Sequence, residues 1–276
     1  MKKILLAFDG SNFSEGAFEF VRRLNDIQPL LVTGVFVPQV AHSNASSYSP
    51  AAAFAGAYVP LLDDEDTELI EKNIDRFEDL CQKHGIAYRV HKDFVDFALP
   101  ELKKESRFAD VLIISGELFY KRFIELDHYD YLRDLLHVSE CPVLVLPEHY
   151  QFPVSNIVAY DGSEEAVYAL KQFAYLFPEL AVNKTLLVYA QDKDKNGRIP
   201  SKDYIIELAT QHYKDLTFYK LDINPRKYFS TWMKNEKGSM LVSGSFGRSA
   251  FSQIFRKSFV ADIIREHKVP VFIAHK

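Results

Sequence analysis

The residues from Gly244 to Ser258 combine types that could bind an anion. Gly244 closes an apolar run and Gly247 follows three positions later, so the backbone there can make approaches that a side chain would block. Arg248 and Lys257 add positive charge, and charge-assisted hydrogen bonds are among the stronger ones in proteins. The pattern favours binding of a ligand over nucleophilic chemistry.

The tripeptide Asp-Gly-Ser occurs twice, each time directly after an apolar run, at Asp9 and at Asp161. If those runs are strands, both aspartates lie at the carboxyl edge of a sheet, where open α/β sheets bind ligands. The same tripeptide also serves as a turn and helix cap, with Ser11 and Ser163 as N-caps. Both interpretations stay open for Asp161, and a cap is favoured for Asp9.

Patterns typical of catalytic sites are missing from the sequence. There is no Walker loop, no H-E-x-x-H pair and no G-x-S-x-G elbow, and the nine histidines are scattered. Cys81 and Cys141 are the only cysteines, lack metal-ligand spacing and are predicted to be packed thiols. We therefore predict a non-catalytic protein.

Three ordered matches indicate an internal duplication. KKILLAFDGS, which contains Asp9, recurs as VSNIVAYDGS around Asp161; DVLIISG recurs as SMLVSG, and CPVLVLP as VPVFIAH. The offset between the copies shortens after the first match, so the second copy lacks a loop or hairpin that the first contains. We predict two domains, residues 1–150 and residues 151–276.

Each copy alternates short apolar runs with longer amphipathic segments, the pattern of βαβ units around a parallel sheet. We therefore predict an α/β fold with two tandem five-stranded parallel sheets, each flanked by helices. The predicted strands are residues 3–9, 29–36, 86–92, 110–115, 142–147, 156–161, 184–190, 216–221, 239–243 and 269–274.

Composition excludes several classes of protein. A hydrophobic content of 47% and a charged content of 26% are typical of a globular protein, and a net charge of −5 argues against nonspecific nucleic-acid binding. Asp9 interrupts the first apolar run before an export signal would be complete, and no stretch reaches the length of a membrane span. We expect a cytoplasmic protein with neither a nucleic-acid nor a membrane partner.

These motifs together resemble the universal stress protein family in its tandem form. The resemblance covers essentially the whole chain and implies two Rossmann-like domains of the adenine nucleotide alpha hydrolase-like type. Many members bind ATP through a loop G-x2-G-x9-G-[ST]. The resemblance therefore implies that Gly244, Gly247 and Ser258 contact the nucleotide here. Lys257 occupies the position of the third glycine, where its charge together with Arg248 could replace what the glycine provides. The resemblance also gives Asp161 a place in the nucleotide pocket.

The first copy departs further from that loop. Counting from Gly116, the second glycine position is Phe119, the third is Tyr129 and the hydroxyl position is Asp130. Asp130 is predicted to cap the following helix with its own carboxylate, and the acidic Glu117 lies close to the start of this loop. We expect no phosphate to bind there.

The resemblance implies a stress-response or regulatory protein whose second domain binds an adenine nucleotide, with ATP and Mg²⁺ as the candidates. Two alternatives stay open: a nucleotide-independent module that binds an unidentified protein partner, and a slow ATP hydrolase. The apolar runs PVLVLP and PVFIA suit a contact between the copies in an internal pseudo-dimer. A homodimer of whole chains stays open as well.

Overall fold

A computed structural model describes residues 1–37, 64–92, 98–118, 128–190, 198–222, 225–233, 236, 238–244, 263–264 and 269–274. Its strands are β1 Lys2–Phe8, β2 Leu30–Phe36, β3 Ala87–Lys92, β4 Val111–Ser115, β5 Val143–Leu146, β6 Ser155–Ala159, β7 Lys184–Ala190, β8 Leu216–Leu221, β9 Ser239–Gly244 and β10 Val271–Ala274. Every predicted strand is present, and none is displaced at either end by more than two residues.

The strands form one continuous sheet in the order β3-β2-β1-β4-β5-β10-β9-β6-β7-β8. Neighbouring strands are parallel except for β5 and β10, which pair antiparallel with Val145 opposite Val271. The α/β class and the parallel pairing are confirmed. The sequence predicted two sheets, but the structure joins them edge to edge, because the apolar runs PVLVLP and PVFIA supply the two strands that meet.

The described helices lie on both faces of this sheet. They are α1 Glu15–Ile27, α2 Asp64–Lys83, α3 Ala98–Ser106, α4 His128–Val138, α5 Glu164–Leu176, α6 Pro178–Ala181, α7 Lys202–His212 and α8 Pro225–Met233. Of these helices, none combines the length and the apolar character needed to cross a bilayer.

Two hydrophobic clusters cover the two faces of the sheet. One contains Phe20 of α1, Phe77 of α2 and Phe173 of α5, and the other contains Leu102 of α3 and Phe229 of α8. Residues of β1 alternate between the two clusters, as expected of a strand buried on both faces.

Side-chain contacts away from the β5–β10 pair also join the first half of the chain to the second. Lys2 donates to Glu179 at 2.8 Å, and the side chains of the two residues are only 14% and 10% exposed. The ring of Phe20 lies 5.3 Å from that of Phe152 and 6.4 Å from that of Phe177, measured between centroids. The halves therefore share buried contacts beyond the β5–β10 pair.

Candidate functional site

The strand order reverses direction at two points, between β1 and β4 and between β6 and β9. In open α/β sheets, the crevice at the carboxyl ends of such strands is where ligands bind. Asp9 follows β1 and Asp161 follows β6, while Gly244 ends β9. Because Val158 of β6 pairs with Val242 of β9, Asp161 and Gly244 reach the same edge of the sheet.

In the second half, the Asp-Gly-Ser turn leads directly into α5. Ser163 is the N-cap, and its hydroxyl oxygen accepts a hydrogen bond of 3.2 Å from the backbone N–H of Ala166. Oδ1 of Asp161 accepts from the backbone N–H of Ser163 at 2.9 Å, and the residue is exposed. The predicted cap at Ser163 is confirmed, and the carboxylate of Asp161 remains open to solvent.

Pro200 covers the glycine of this turn. Gly162 has φ +89°, and a Cβ added to it would lie 2.5 Å from Cβ of Pro200. Nearby, the hydroxyl of Tyr160 donates to the carbonyl oxygen of Pro200 at 2.8 Å, and burial raises the pKa of this phenol. The turn that holds Asp161 is thus fixed from one side.

The backbone of Gly244 lies very close to the backbone of helix α5. An added Cβ would lie 2.4 Å from the carbonyl carbon of Glu165 and 2.6 Å from the backbone nitrogen of Ala166, in the first turn of α5. Glycine is required here because the end of β9 and the start of α5 nearly touch. The residue therefore has a packing role whether or not a ligand binds nearby.

In the first half, the prediction that Ser11 caps the helix is wrong. Helix α1 is capped by Ser14, whose hydroxyl oxygen accepts from the backbone N–H of Ala17 at 3.1 Å. The first copy places three more residues between Asp-Gly-Ser and its helix than the second copy does, which moves the cap along the chain. Asp9, only 2% exposed, instead accepts from the backbone N–H and the side-chain amide of Asn12, at 2.6 and 2.7 Å.

We call the crevice at the carboxyl ends of β1 and β4 the first crevice and the one at β6 and β9 the second. The carboxylate of Glu148, just beyond β5, occupies the first crevice. Its Oε1 accepts from the hydroxyls of Ser14 and Ser115, the latter at 2.6 Å, and its Oε2 accepts from the backbone N–H of Gly16 at 3.2 Å. Its own backbone N–H donates to Oε1 of Glu117 at 3.0 Å. Three donors from α1 and β4 therefore converge on one anionic side chain of the protein itself.

Sequence reasoning missed Glu148. The predicted boundary between the domains lies only two residues further on, after residue 150, but the carboxyl-edge argument used for Asp9 applies equally to a residue that follows β5. The prediction that Asp130 caps its helix is also wrong, since α4 begins at His128 and Asp130 lies within its first turn.

The other predicted loop residues lie outside the described part of the chain: Gly247, Arg248, Lys257 and Ser258, and in the first half Phe119. Among the described residues, no group of three or more His, Cys, Asp or Glu side chains could hold a metal ion. Cys81 and Cys141 are buried, and burial raises the pKa of both thiols to about 12. Both are packed thiols, as predicted.

No protein-family model matches the chain, and no curated protein matches it. Solved structures do resemble it. The crystal structure of a universal stress protein from Archaeoglobus fulgidus aligns with a TM-score of 0.72 at 18% identity, covering 100% of this chain and 96% of that chain. A functionally unknown protein from Pseudomonas aeruginosa aligns with a TM-score of 0.55 at 12% identity, covering 100% and 92%. The fold of a universal stress protein thus extends over the whole chain, which confirms the fold that the sequence resemblance implied.

Proposed function

We propose that this protein, which has the fold of a universal stress protein, is a non-catalytic stress-response or regulatory protein that binds one adenine nucleotide, with ATP and Mg²⁺ as the first candidates. The site lies in the second of two domains, residues 1–150 and 151–276, at the crevice between β6 and β9. The proposed location is the cytoplasm, where buried thiols such as Cys81 and Cys141 stay reduced.

The observation that carries this proposal is the difference between the two crevices. In the first, Asp9 is buried and bonded to Asn12, and the carboxylate of Glu148 accepts the nearby hydroxyl and N–H donors. In the second, Asp161 is exposed. A nucleotide needs donors for its phosphates, and in the first crevice a protein carboxylate already uses them and would repel a second anion.

The charges along the sequence also favour the second crevice as the nucleotide site. Gly244 leads into the stretch that contains Arg248 and Lys257, whereas Gly116 is followed by Glu117. Positive charge near a phosphate strengthens its hydrogen bonds, and a carboxylate there weakens them. We assign the nucleotide phosphates to Gly247, Arg248, Lys257 and Ser258 on this basis.

The test is calorimetric titration of the purified full chain with ATP and MgCl₂ after removal of any retained small molecule. We expect a stoichiometry near one that is lost in Gly247→Trp, because the indole fills the position where the backbone must approach the phosphates. Phe119→Trp, at the matching position of the first half, is the control and should bind like the wild type.

Asp161→Asn gives a milder variant, because the amide oxygen can still accept from the Ser163 N–H. It should weaken ATP binding without changing the free energy of unfolding by more than about 0.5 kcal/mol. A stoichiometry of two, or no binding of ATP at millimolar concentration, would overturn the proposal.

A second candidate is a nucleotide-independent module that recognises a protein partner. Its support is that each described residue of the proposed site has a structural role: Asp161 holds the turn, Gly162 packs under Pro200, and Gly244 approaches α5. Under this alternative, Gly247→Trp leaves the set of proteins captured by the immobilised chain unchanged. Under the nucleotide proposal, capture of any partner changes with added ATP.

A further inference from the structure

The strands β3 and β8 lie at the two ends of the sheet, so among the described residues each has one edge without a neighbouring strand. An edge strand directs every second pair of backbone N–H and C=O groups away from the sheet, where a strand of another chain can bond to them. Proteins commonly block such edges with charge, proline or a bulge. The two edges of this sheet differ in that respect.

The edge at β3 carries positive charge. Arg89 and Lys92 are exposed residues of this strand, and a second copy placed beside it would bring more charge of the same sign. The guanidinium of Arg89 also donates to the carbonyl oxygen of Tyr88 at 2.8 Å. These features disfavour pairing of β3 with another copy of itself.

The edge at β8 has less protection. The strand contains neither proline nor glycine, and Lys220 is its one charged residue. On its inner side, the backbone N–H of Thr185 in β7 donates to the carbonyl oxygen of Asp215 at 2.7 Å. Because backbone groups alternate in direction along a strand, Leu216, Phe218 and Lys220 direct theirs away from β7.

An aromatic ring is held beside this edge. The side chain of Tyr219 is 43% exposed, and its ring stacks on that of Trp232 in α8 with 6.2 Å between centroids and 15° between planes. Thr217 is also exposed and lies two residues away, on the same face of the strand. Aromatic and β-branched side chains stabilise two strands when they lie opposite each other.

The charges on either side of β8 favour one register for two antiparallel copies. With Phe218 opposite the same residue of the second copy, Lys214 lies opposite Asp222 at both ends of the pair, and all of these charges are exposed. A shift of two residues would instead place Lys214 opposite Lys220, which is unfavourable. Within one chain, Asp222 contacts Lys220 at 3.3 Å in an exposed position, and such ion pairs are weak.

We propose that two copies of this chain associate through β8, paired antiparallel around a two-fold axis at Phe218. Thr217 of each copy then packs on Tyr219 of the other, and Lys214 of each meets Asp222 of the other. The sheet continues across the dimer and has the positively charged β3 at both outer ends, so association stops at two copies. The proposal does not depend on nucleotide binding.

The first measurement is the mass of the full chain in solution, by sedimentation velocity over a concentration series up to roughly 100 μM. One chain has a mass of 31.8 kDa, and we expect a species of twice that mass whose fraction rises with concentration. Lys220→Pro removes an outward N–H without removing a bond to β7, a position where edge strands tolerate proline. It should give a monomer that circular dichroism shows to be folded. Lys220→Gln keeps the N–H and should still dimerise.

Charge reversal tests the register. Lys214→Glu should weaken the dimer at least about tenfold, because carboxylates then face each other at both ends of the strand pair. Asp222→Lys should have the same effect through two facing ammonium groups. The double variant Lys214→Glu with Asp222→Lys restores opposite charges and should dimerise like the wild type. Lys202→Glu makes the same change of charge at an exposed residue of α7 and is the control.

Three results would overturn the proposal. The first is a chain that stays monomeric throughout the concentration series, which is also the result expected if the edge serves an extended segment of a different protein. The second is a dimer that survives Lys220→Pro, since it would use another surface. The third is a double charge variant that dimerises as poorly as the two single variants.

Discussion

The hydroxyl of Ser115 donates a hydrogen bond of 2.6 Å to Oε1 of Glu148, although 33 residues separate them in the chain. The contact ties the end of β4 to the segment that leaves β5 and leads to the second half. The same carboxylate also accepts from α1, so the first crevice is held together by an anion that belongs to the protein.

Glu148→Gln should destabilise the protein by about 1–3 kcal/mol, because the glutamine amide would place a donor among groups that also donate. Urea denaturation followed by circular dichroism measures the change. His149→Ala, at an exposed neighbouring position, is the control and should lie within about 0.5 kcal/mol of the wild type. Equal effects of the two substitutions would show that the three donors do not depend on the carboxylate.

Ser14→Ala should cost about 1 kcal/mol and Ser11→Ala only a few tenths, since Ser14 and not Ser11 caps α1. In the second half, Ser163→Ala should again cost about 1 kcal/mol, because Ser163 caps α5. Unfolding midpoints of the three variants test the assignment. A larger loss at Ser11 than at Ser14 would contradict the observed start of the helix.

Gly244→Ala should destabilise the protein by about 1–3 kcal/mol, because the new Cβ would overlap backbone atoms of Glu165 and Ala166, which cannot turn away as a side chain would. Gly85→Asn is the comparison: no atom lies within 4 Å of an added Cβ there, and asparagine tolerates the positive φ of 62°. We expect Gly85→Asn to cost less than half as much by chemical denaturation.

The contact between Lys2 and Glu179 should contribute to the stability of both halves together. Either Lys2→Met or Glu179→Gln should cost about 1–3 kcal/mol, because each leaves a charged or polar partner in a mostly buried position. The double variant should cost clearly less than the sum of the two single losses. Additive losses in this cycle would mean that the two side chains do not interact energetically.

Both thiols should resist alkylation in the native state. With a pKa near 12, only about one thiol in ten thousand is ionised at pH 8, and the thiolate is the reactive form. Because the native pKa is raised from 9.0, each thiol contributes stability that is complete below pH 9 and declines as the pH rises toward 12. Mass spectrometry after iodoacetamide treatment should find Cys81 and Cys141 modified in urea and unmodified in buffer. Fast modification in buffer would contradict their burial.

Apolar runs predicted the inner strands well because a strand buried on both faces must be almost wholly apolar, whereas the edge strands β3 and β8 include exposed polar residues. The start of α1 was less predictable. Asp-Gly-Ser occurs in both copies, but Ser11 and Ser14 compete for the cap, and the packing of Phe13 against Phe8 accompanies the longer turn that favours Ser14. Such competition is decided by contacts between residues that the local pattern does not connect.

The sequence by itself determined the α/β class, the position of each strand and the two Asp-Gly-Ser turns, because these depend on periodicity and on short-range turn chemistry. Only the tertiary structure decided that β5 pairs with β10 in one continuous sheet, that Gly244 approaches α5, and that Glu148 fills the first crevice. Each of these depends on which distant segments come together. Burial and hydrogen bonding between such segments are properties of the packed chain, so no single stretch of sequence contains them.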